Sequence, residues 1–384
     1  MPPKITKVRW SAANLPWGIS FNEQTGTFTG TPEDEGEYDI PITIETNYGR
    51  HQEYVHMSVI KNIVWEKVDI GNINMQEKTP IMLRLIRGDN NFRHFMIPIF
   101  DGSYQRYINC SSSTSRSVWG VAAAFESDYF FDKIYGIVET VKNKFVYIIG
   151  ENAGGKIRRF PDGGGGAVTL YTPPFYTSKW YAACHSSTLD VVFYFDKEGR
   201  AIKITSASTA TPVMVSSYYA TGISNINTNC AAWSNSVKKV CVSSSDGQVA
   251  VSADGVIWTT ANTPDNLVEL EYREDLGKFF ARGENTKLFY VSEDGLTWIQ
   301  YSIIPFPLDE VHASTYSSIY GYCVIGYLGS ETYSIHSEDF SEWTFKKMAN
   351  TNIRFTNVVE SCLDNGFVAI PYSGGSYLYR LQYE

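Results

Sequence analysis

The sequence predicts an all-β protein, a seven-bladed β-propeller preceded by a small β module, and three observations carry that reading. A Ser–x–Asp…Trp pattern recurs at steps of 40 and 45 residues. Seven strand–turn–strand units each bear a Gly at the turn. Aromatic residues make up 15% of the 384, including 26 Tyr and 9 Trp, a bias toward pleated sheets over helices.

The repeat comes first because its period is that of one four-stranded propeller blade. Ser252, Asp254, Gly255 and Trp258 of VSADGVIW return as Ser292, Asp294, Gly295 and Trp298 of VSEDGLTW. They return again, without the Gly, as Ser337, Asp339 and Trp343. Asp and Gly are expected in the turn between a blade's third and fourth strands. There the carboxylate accepts backbone N–H groups and Gly takes the left-handed position. The Trp, on the fourth strand, is expected to pack between adjacent sheets. This structural role is preferred to the other reading, a string of acidic ligand sites.

The hairpins follow in chain order. FRHFMIPIF turns through DGS into YQRYINC, KFVYIIGE through NAGG into KIRRF, and DVVFYF through DKEG into RAIKITS. KKVCVSSS turns through DG into QVAVS, KFFARG through GENT into KLFYVS, and YGYCVIGY through LGSE into TYSIHS. GFVAIPY with SGG and YLYRLQYE completes the series. The turn glycines are 102, 154, 199, 247, 283, 329 and 374, where tight hairpins favour positive φ. The last hairpin stops after a third strand, whereas NIVWEKVDI, residues 62–70, has no hairpin partner before it. That strand is expected to close the last blade, which removes two open edges. A six-bladed ring is the alternative if residues 62–118 form something else. The domains expected are 1–60, a β module, and 61–384, the propeller.

The Ser–x–Asp repeats resemble the Asp-box repeats of sialidase-like propellers, one residue shorter than Ser–x–Asp–x–Gly–x–Thr–Trp. The likeness is clear over residues 240–345 and extends to 62–384. It implies that the boxes are structural and lie on the face away from any active site. In the first sixty residues, Leu15, Pro16 and Gly18 are followed by Thr25-Gly26, Gly30-Thr31-Pro32, Gly36 and Tyr38. These read as short strands with tight turns. The string resembles the immunoglobulin-like module of bacterial surface proteins and tailed-phage virion proteins. Only KITKVRWSAAN precedes the LPxG-type segment, so a partial β-sandwich is expected. Its open edge is expected to be covered by the propeller or by a partner strand from another chain.

The sialidase-like resemblance implies an arginine triad, an FRIP-like segment, an Asp acid/base and a Tyr–Glu nucleophile pair. MLRLIRG, residues 82–88, is not that segment, and Arg354 has no partners that can be placed. Glu271 and Tyr272 adjoin in sequence, so on a strand they point to opposite faces. The six His (51, 56, 94, 185, 312 and 336) show no metal-ligand spacing. GGGG at 163–166 reads as a turn, not a phosphate loop, and no G-x-S-x-G elbow occurs. The expectation is therefore a protein that is not an enzyme, with no cofactor and no metal. Candidate ligand-binding residues are Trp180, Tyr181, Tyr218, Tyr219 and Trp233, read as exposed loop aromatics able to stack on a sugar or anchor a partner. The plainer reading is that they pack between blades.

Six cysteines without a CxxC pair read as reduced thiols, with a Cys230–Cys241 bridge as the alternative. A net charge of −9 and no basic tract argue against nucleic acid. No apolar run reaches membrane-spanning length, so no membrane insertion is expected. The opening MPPKITKVRWSAAN reads as neither signal nor transit peptide. Together these lead to a structural or adhesion protein, most simply a virion component of a tailed bacteriophage (tail fibre, head fibre or decoration). Its expected partners are other virion proteins or a host surface glycan, within an oligomeric assembly. A secreted or cell-surface bacterial glycan-binding protein and a sialidase-like glycosidase are the alternatives.

Overall fold

The computed structural model describes residues 8–30, 36–59, 63–69, 85–87, 93–95, 99–100, 105–113, 116–124, 133–140, 145–151, 157–160, 168–171, 179–284, 287–317, 320–349, 353–361, 366–371 and 377–383. These contain strands and turns and no helix. The turns at Gly102, Gly154 and Gly374 and the GGGG run lie outside the described residues. The chain divides into two units, Trp65–Gln382 being the larger.

In the smaller unit β1 (Val8–Ala12) is followed by a hairpin of β2 (Ile19–Asn22) and β3 (Thr27–Gly30), then by β4 (Gly36–Thr46) and β5 (Gly49–Val59). The first sheet has the order β1-β4-β5 and the hairpin stands as a separate two-stranded sheet. Ile40 and Ile42 on β4 are buried, while β5 exposes residues 49–56 without a break. Asn22 caps the β2–β3 turn, its Oδ1 accepting the N–H of Gln24 at 2.9 Å and of Thr25 at 3.0 Å.

The larger unit is a series of antiparallel sheets. After β6 (Ile63–Asp69) come β7 (Leu85–Arg87), β8 (Arg93–Phe95), β9 (Ile99–Phe100), β10 (Gln105–Ser113) and β11 (Arg116–Ala124), paired in the order β11-β10-β8-β7 with β9 also on β10. Next, β12 (Lys133–Glu139), β13 (Val146–Glu151), β14 (Ile157–Phe160) and β15 (Val168–Tyr171) pair in chain order. So do β16 (Trp180–Ser186), β17 (Val191–Asp196), β18 (Arg200–Thr205) and β19 (Val213–Ala220). The same order holds for β20 (Ile226–Ser234), β21 (Lys239–Ser244), β22 (Gln248–Ser252) and β23 (Thr259–Asn262). It holds again for β24 (Leu267–Arg273), β25 (Lys278–Gly283), β26 (Leu288–Ser292) and β27 (Ile299–Ile303). A further sheet contains β28 (Glu310–Ser317), β29 (Gly321–Leu328), β30 (Glu331–Ser337) and β31 (Thr344–Ala349). In the last, β32 (Phe355–Ser361), β33 (Gly366–Pro371) and β34 (Tyr377–Tyr383) are joined by β6, in the order β32-β33-β34-β6.

The sheets from β16 to β31 grade from a buried interior to an exposed rim. Second strands such as VVFYFD of β17 and GFVAIP of β33 are buried at every residue, because neighbours cover both faces. Outermost strands such as TTAN of β23 are largely exposed. Apolar clusters fill the seams between consecutive sheets. Trp180 and Tyr194 meet Tyr147 and Ile149 in one seam; Phe193 and Phe195 meet Trp233 and Val240 in the next. Val249 and Val251 meet Phe279 and Trp298, and Phe280 and Phe289 meet Val324 and Ile335. Each buried Phe contributes about 1.5–3 kcal/mol, so the seams dominate cohesion. The first strands β12, β16, β20 and β24 pack in succession, β28 packs beside β32, and β32 meets β7.

The cysteines described with side chains, Cys184, Cys230, Cys241 and Cys323, are free and buried, so the Cys230–Cys241 bridge is not formed. Gly283 is the last residue of β25, one step before the turn assigned to it from sequence.

Candidate functional site

The Ser–x–Asp turns are built by local hydrogen bonds. Asp294 Oδ1 accepts the N–H of Leu296 and of Thr297, each at 2.8 Å, while Ser292 Oγ accepts the N–H of Gly295 at 2.9 Å. Asp254 repeats this with Val256 and Ile257, and those two N–H groups hold its carboxyl below the usual carboxylate range. Gly255 and Gly295 have φ of 71° and 81°; in the third copy Phe340 takes that place at φ 69°. Trp258, Trp298 and Trp343 each immediately precede the outermost strand, one position earlier than the sequence suggested. They reach the preceding sheet: Trp258 meets Phe195 at 5.6 Å and Trp343 stacks on Phe289 at 6.1 Å. Trp298 Nε1 donates to Gly295 O at 3.0 Å, fastening the ring to its own turn. Asp294→Ala orphans two N–H groups and loosens that seat, so a loss of about 1–2 kcal/mol is expected in urea unfolding.

The five aromatics chosen as exposed loop residues all lie on strands. Trp180 and Trp233 are buried, at 1% and 7% exposure, which corrects their assignment as ligand contacts. Trp180 packs edge-on against Tyr194 of its own sheet in the seam with Tyr147 and Ile149, and Trp233 stacks on Phe193 of the preceding sheet. Tyr218 and Tyr219 sit on the outer strand β19, half-buried, and lean on opposite seams. The Arg200 guanidinium lies over Tyr218 at 5.5 Å and the Lys203 ammonium over Tyr219 at 5.1 Å. Tyr181 is different: it is half-buried on β16 and stacks on Tyr135 of β12 at 4.8 Å.

Tyr181 belongs to a pattern that the sequence did not disclose. Each first strand from β12 to β32 carries a register shift against its second strand, at the same level. The shifts fall between Ile134 and Gly136, Trp180 and Ala182, Ile226 and Ala231, Val268 and Glu271, Val311 and Ala313, and Phe355 and Asn357. The extra residues are thus Tyr135, Tyr181, three of the four in Asn227–Cys230, one of Glu269 and Leu270, His312 and Thr356. All lie toward the N-terminal ends of the first strands, opposite the Ser–x–Asp turns. Bulges re-aim side chains and gather beside functional sites. Asn229 and Glu269 hold positive φ, 55° and 56°, a strain that a non-Gly residue keeps only when its surroundings impose it.

The bulged side chains form two kinds of contact. Glu269 is clamped: Arg282 donates to it from Nε at 2.9 Å and Nη2 at 3.1 Å, and Ser314 adds its backbone N–H at 3.1 Å and its hydroxyl. His312 is left with an unsatisfied donor. Its Nδ1 accepts the Phe355 N–H at 3.3 Å, which puts the proton of the neutral ring on Nε2, and Nε2, itself buried, has no hydrogen-bond partner among the described residues. Burial, with Arg354 and Arg282 nearby, lowers the His312 pKa, so the ring is neutral at physiological pH. Its N–H is a donor that no described residue satisfies, and the half-buried Tyr135–Tyr181 pair lies at the same bulge level.

One residue beyond the bulge on β24 stands Glu271. Tyr322 of the next sheet donates to its Oε1 at 3.1 Å, so the Tyr–Glu pair that Glu271 could not make with Tyr272 is made across a seam. Protein surrounds the carboxyl, although the residue as a whole is only half-buried. Burial pushes its pKa up to about 7, against the opposing pull of Arg273 and the Tyr322 hydroxyl. Arg273 is itself buried, holds Asp275 at 2.6 Å and lies 3.0 Å from the centre of the Tyr316 ring. A carboxyl poised near neutrality can take up or release a proton at working pH. Arg354, whose side chain is 62% exposed, lies 4.0 Å from Glu310.

Comparison with known proteins extends both parts of this picture. Residues 2–60 match the family model described as "Putative Ig domain". No curated protein matches the chain. Among solved structures, a catalytically inactive virginiamycin B lyase from Staphylococcus aureus with quinupristin is similar at TM-score 0.59 and 11% identity, over 84% of this chain and 99% of the other. The β-propeller domain of Cps50 (Swd1) from Myceliophteria thermophila is similar at TM-score 0.58 and 8% identity, over 84% and 100%. BBS1N in complex with ARL6DN is similar at TM-score 0.53 and 11% identity, over 84% and 97%. At these identities the likeness speaks for the fold, that of a β-propeller. It corrects the expectation that this chain is not an enzyme. The similar structures include a lyase, so the fold carries catalysis, and a missing motif is no ground for excluding it.

Proposed function

We propose that this chain is an attachment component of a tailed-bacteriophage virion, built as a seven-bladed propeller that β6 closes on β34. In this reading the bulged ends of its first strands bind a host surface glycan. The observation that carries the reading is the recurrence of one bulge level on six first strands, with Tyr135, Tyr181 and His312 gathered there. The immunoglobulin-like match at residues 2–60 supports the virion setting, since such modules recur in proteins of that kind. Aromatic faces stack on sugar rings and a neutral imidazole N–H donates to a hydroxyl, so the group types suit an uncharged saccharide. The purified protein is expected to bind envelope polysaccharide from the host. Tyr181→Ala and His312→Ala are expected to weaken binding by about tenfold each. Binding unaffected by both substitutions, or lost on protease treatment of the envelope and not on periodate treatment, would refute the glycan reading.

Glu271 favours a second reading, in which the same propeller also cleaves the glycan that it binds. Its carboxyl, hydrogen-bonded by Tyr322 and titrating near neutrality, is the proton carrier that such a reaction needs. Release of new reducing ends from the polysaccharide, abolished in Glu271→Gln, supports this reading; no release from the wild type dismisses it.

A further inference from the structure

The strand β5 is eleven residues long and pairs with β4 on one side. Among the described residues no strand lies on its other side. Residues 49–56 are exposed on both faces, with Tyr54 at 66%. A long edge with both faces in water is held by one ladder alone, and natural proteins seldom leave such an edge uncovered. We infer that β5 pairs antiparallel with β5 of a second copy of this chain, joining two β1-β4-β5 sheets into one. This inference does not depend on the function proposed above.

The register follows from the hairpin and from charge. β4 and β5 are joined by the two-residue loop Asn47-Tyr48, with Thr46 opposite Gly49. In such a hairpin the flanking pair exchanges backbone hydrogen bonds, so odd residues of β5 turn their N–H and C=O toward β4. Arg50, Gln52, Tyr54 and His56 therefore turn theirs outward. A two-fold axis at Gln52 sets Gln52 against Gln52 of the second copy, in a hydrogen-bonded pair. It places His51 opposite the other copy's Glu53, and Glu53 opposite its His51. Within one strand His51 Nε2 already meets Glu53 Oε1 at 2.7 Å, so with each His51 as the imidazolium, donating from both ring nitrogens, the four side chains alternate donor and acceptor around a closed ring. Arg50 then faces the ring of Tyr54, a favourable cation–π partner. An axis moved one residue along, to Glu53, sets two carboxylates face to face, which is unfavourable. The strand's own sequence is thus the complement its edge requires, and that singles out a second copy as the occupant.

Sedimentation velocity of the full chain over a concentration series tests this. The wild type is expected to shift from monomer to dimer. Gln52→Pro removes an outward N–H without touching the β4 ladder and is expected to leave a folded monomer by circular dichroism. Glu53→Lys and His51→Glu are each expected to weaken self-association, and an equimolar mixture of the two to restore it as a heterodimer. Should Gln52→Pro unfold the module, the mixture still decides, because both of its members keep the backbone intact. A wild type that stays monomeric throughout, or a mixture that associates no better than its separate members, would overturn the inference.

Discussion

Glu271→Gln is expected to stabilise the protein at pH 8 by roughly 2–3 kcal/mol and to change little near pH 4.5. Burial raises the folded-state pKa of Glu271 to about 7 from its ordinary value of 4.5. Between those values the folded chain keeps a proton that the unfolded chain has lost, so stability falls as pH rises through the window. Glutamine holds the neutral shape without that penalty and still accepts the Tyr322 hydroxyl. Asp254 and Asp339 run the other way: their lowered pKa values contribute stability above the ordinary aspartate range, lost only as pH falls below it. The two effects occupy separate parts of the pH axis. Urea unfolding of both proteins at pH 5 and pH 8 reads the difference directly. A gap that does not widen with pH would show that Glu271 is ionised in the fold.

Gly199→Ala is expected to cost on the order of 3–5 kcal/mol, the largest loss among single substitutions at the described hairpin turns. Its φ is 79°, and a Cβ there would stand 1.6 Å from the Ile223 carbonyl oxygen. The segment it would displace is also its partner. Thr221 donates to Gly199 O through its N–H at 2.9 Å and through its hydroxyl at 2.6 Å. This turn therefore fastens the connection from β19 to β20, and a methyl group there would pry it open. Gly329 is the control: φ is 61° and nothing stands within 4 Å of a Cβ. Gly329→Ala bears only the left-handed conformation and is expected to cost about 1 kcal/mol. Equal losses in thermal unfolding would mean that the close approach at Gly199 does not matter.

Much of the sheet order was legible because second and third strands are simple in sequence. Runs such as VVFYFD are apolar on both faces, and short Gly-bearing turns punctuate them. The Ser–x–Asp turns were legible for a different reason: their hydrogen bonds are made within six residues, so the chemistry stays in one stretch. The first strands were harder. Their bulges carry Tyr, Tyr, Glu or Leu, and His, residues with no common type, so no local signature marks the shift. In Trp180-Tyr181 the bulge parts the two neighbours. The indole goes to a seam and the phenol to the Tyr135 stack, which alternation alone could not disclose. The Glu271–Tyr322 pair joins residues 51 apart on adjacent sheets, a contact set by packing. Glycine 283 misled because GENT resembles a turn whose first residue still belongs to the strand.

The most direct test of the proposed role is the protein content of purified phage particles, read by mass spectrometry with gold-labelled antibody locating the chain. The expected result is a fixed copy number per particle and labelling at one structural position. A chain found only in the soluble lysate and absent from washed particles would contradict the role.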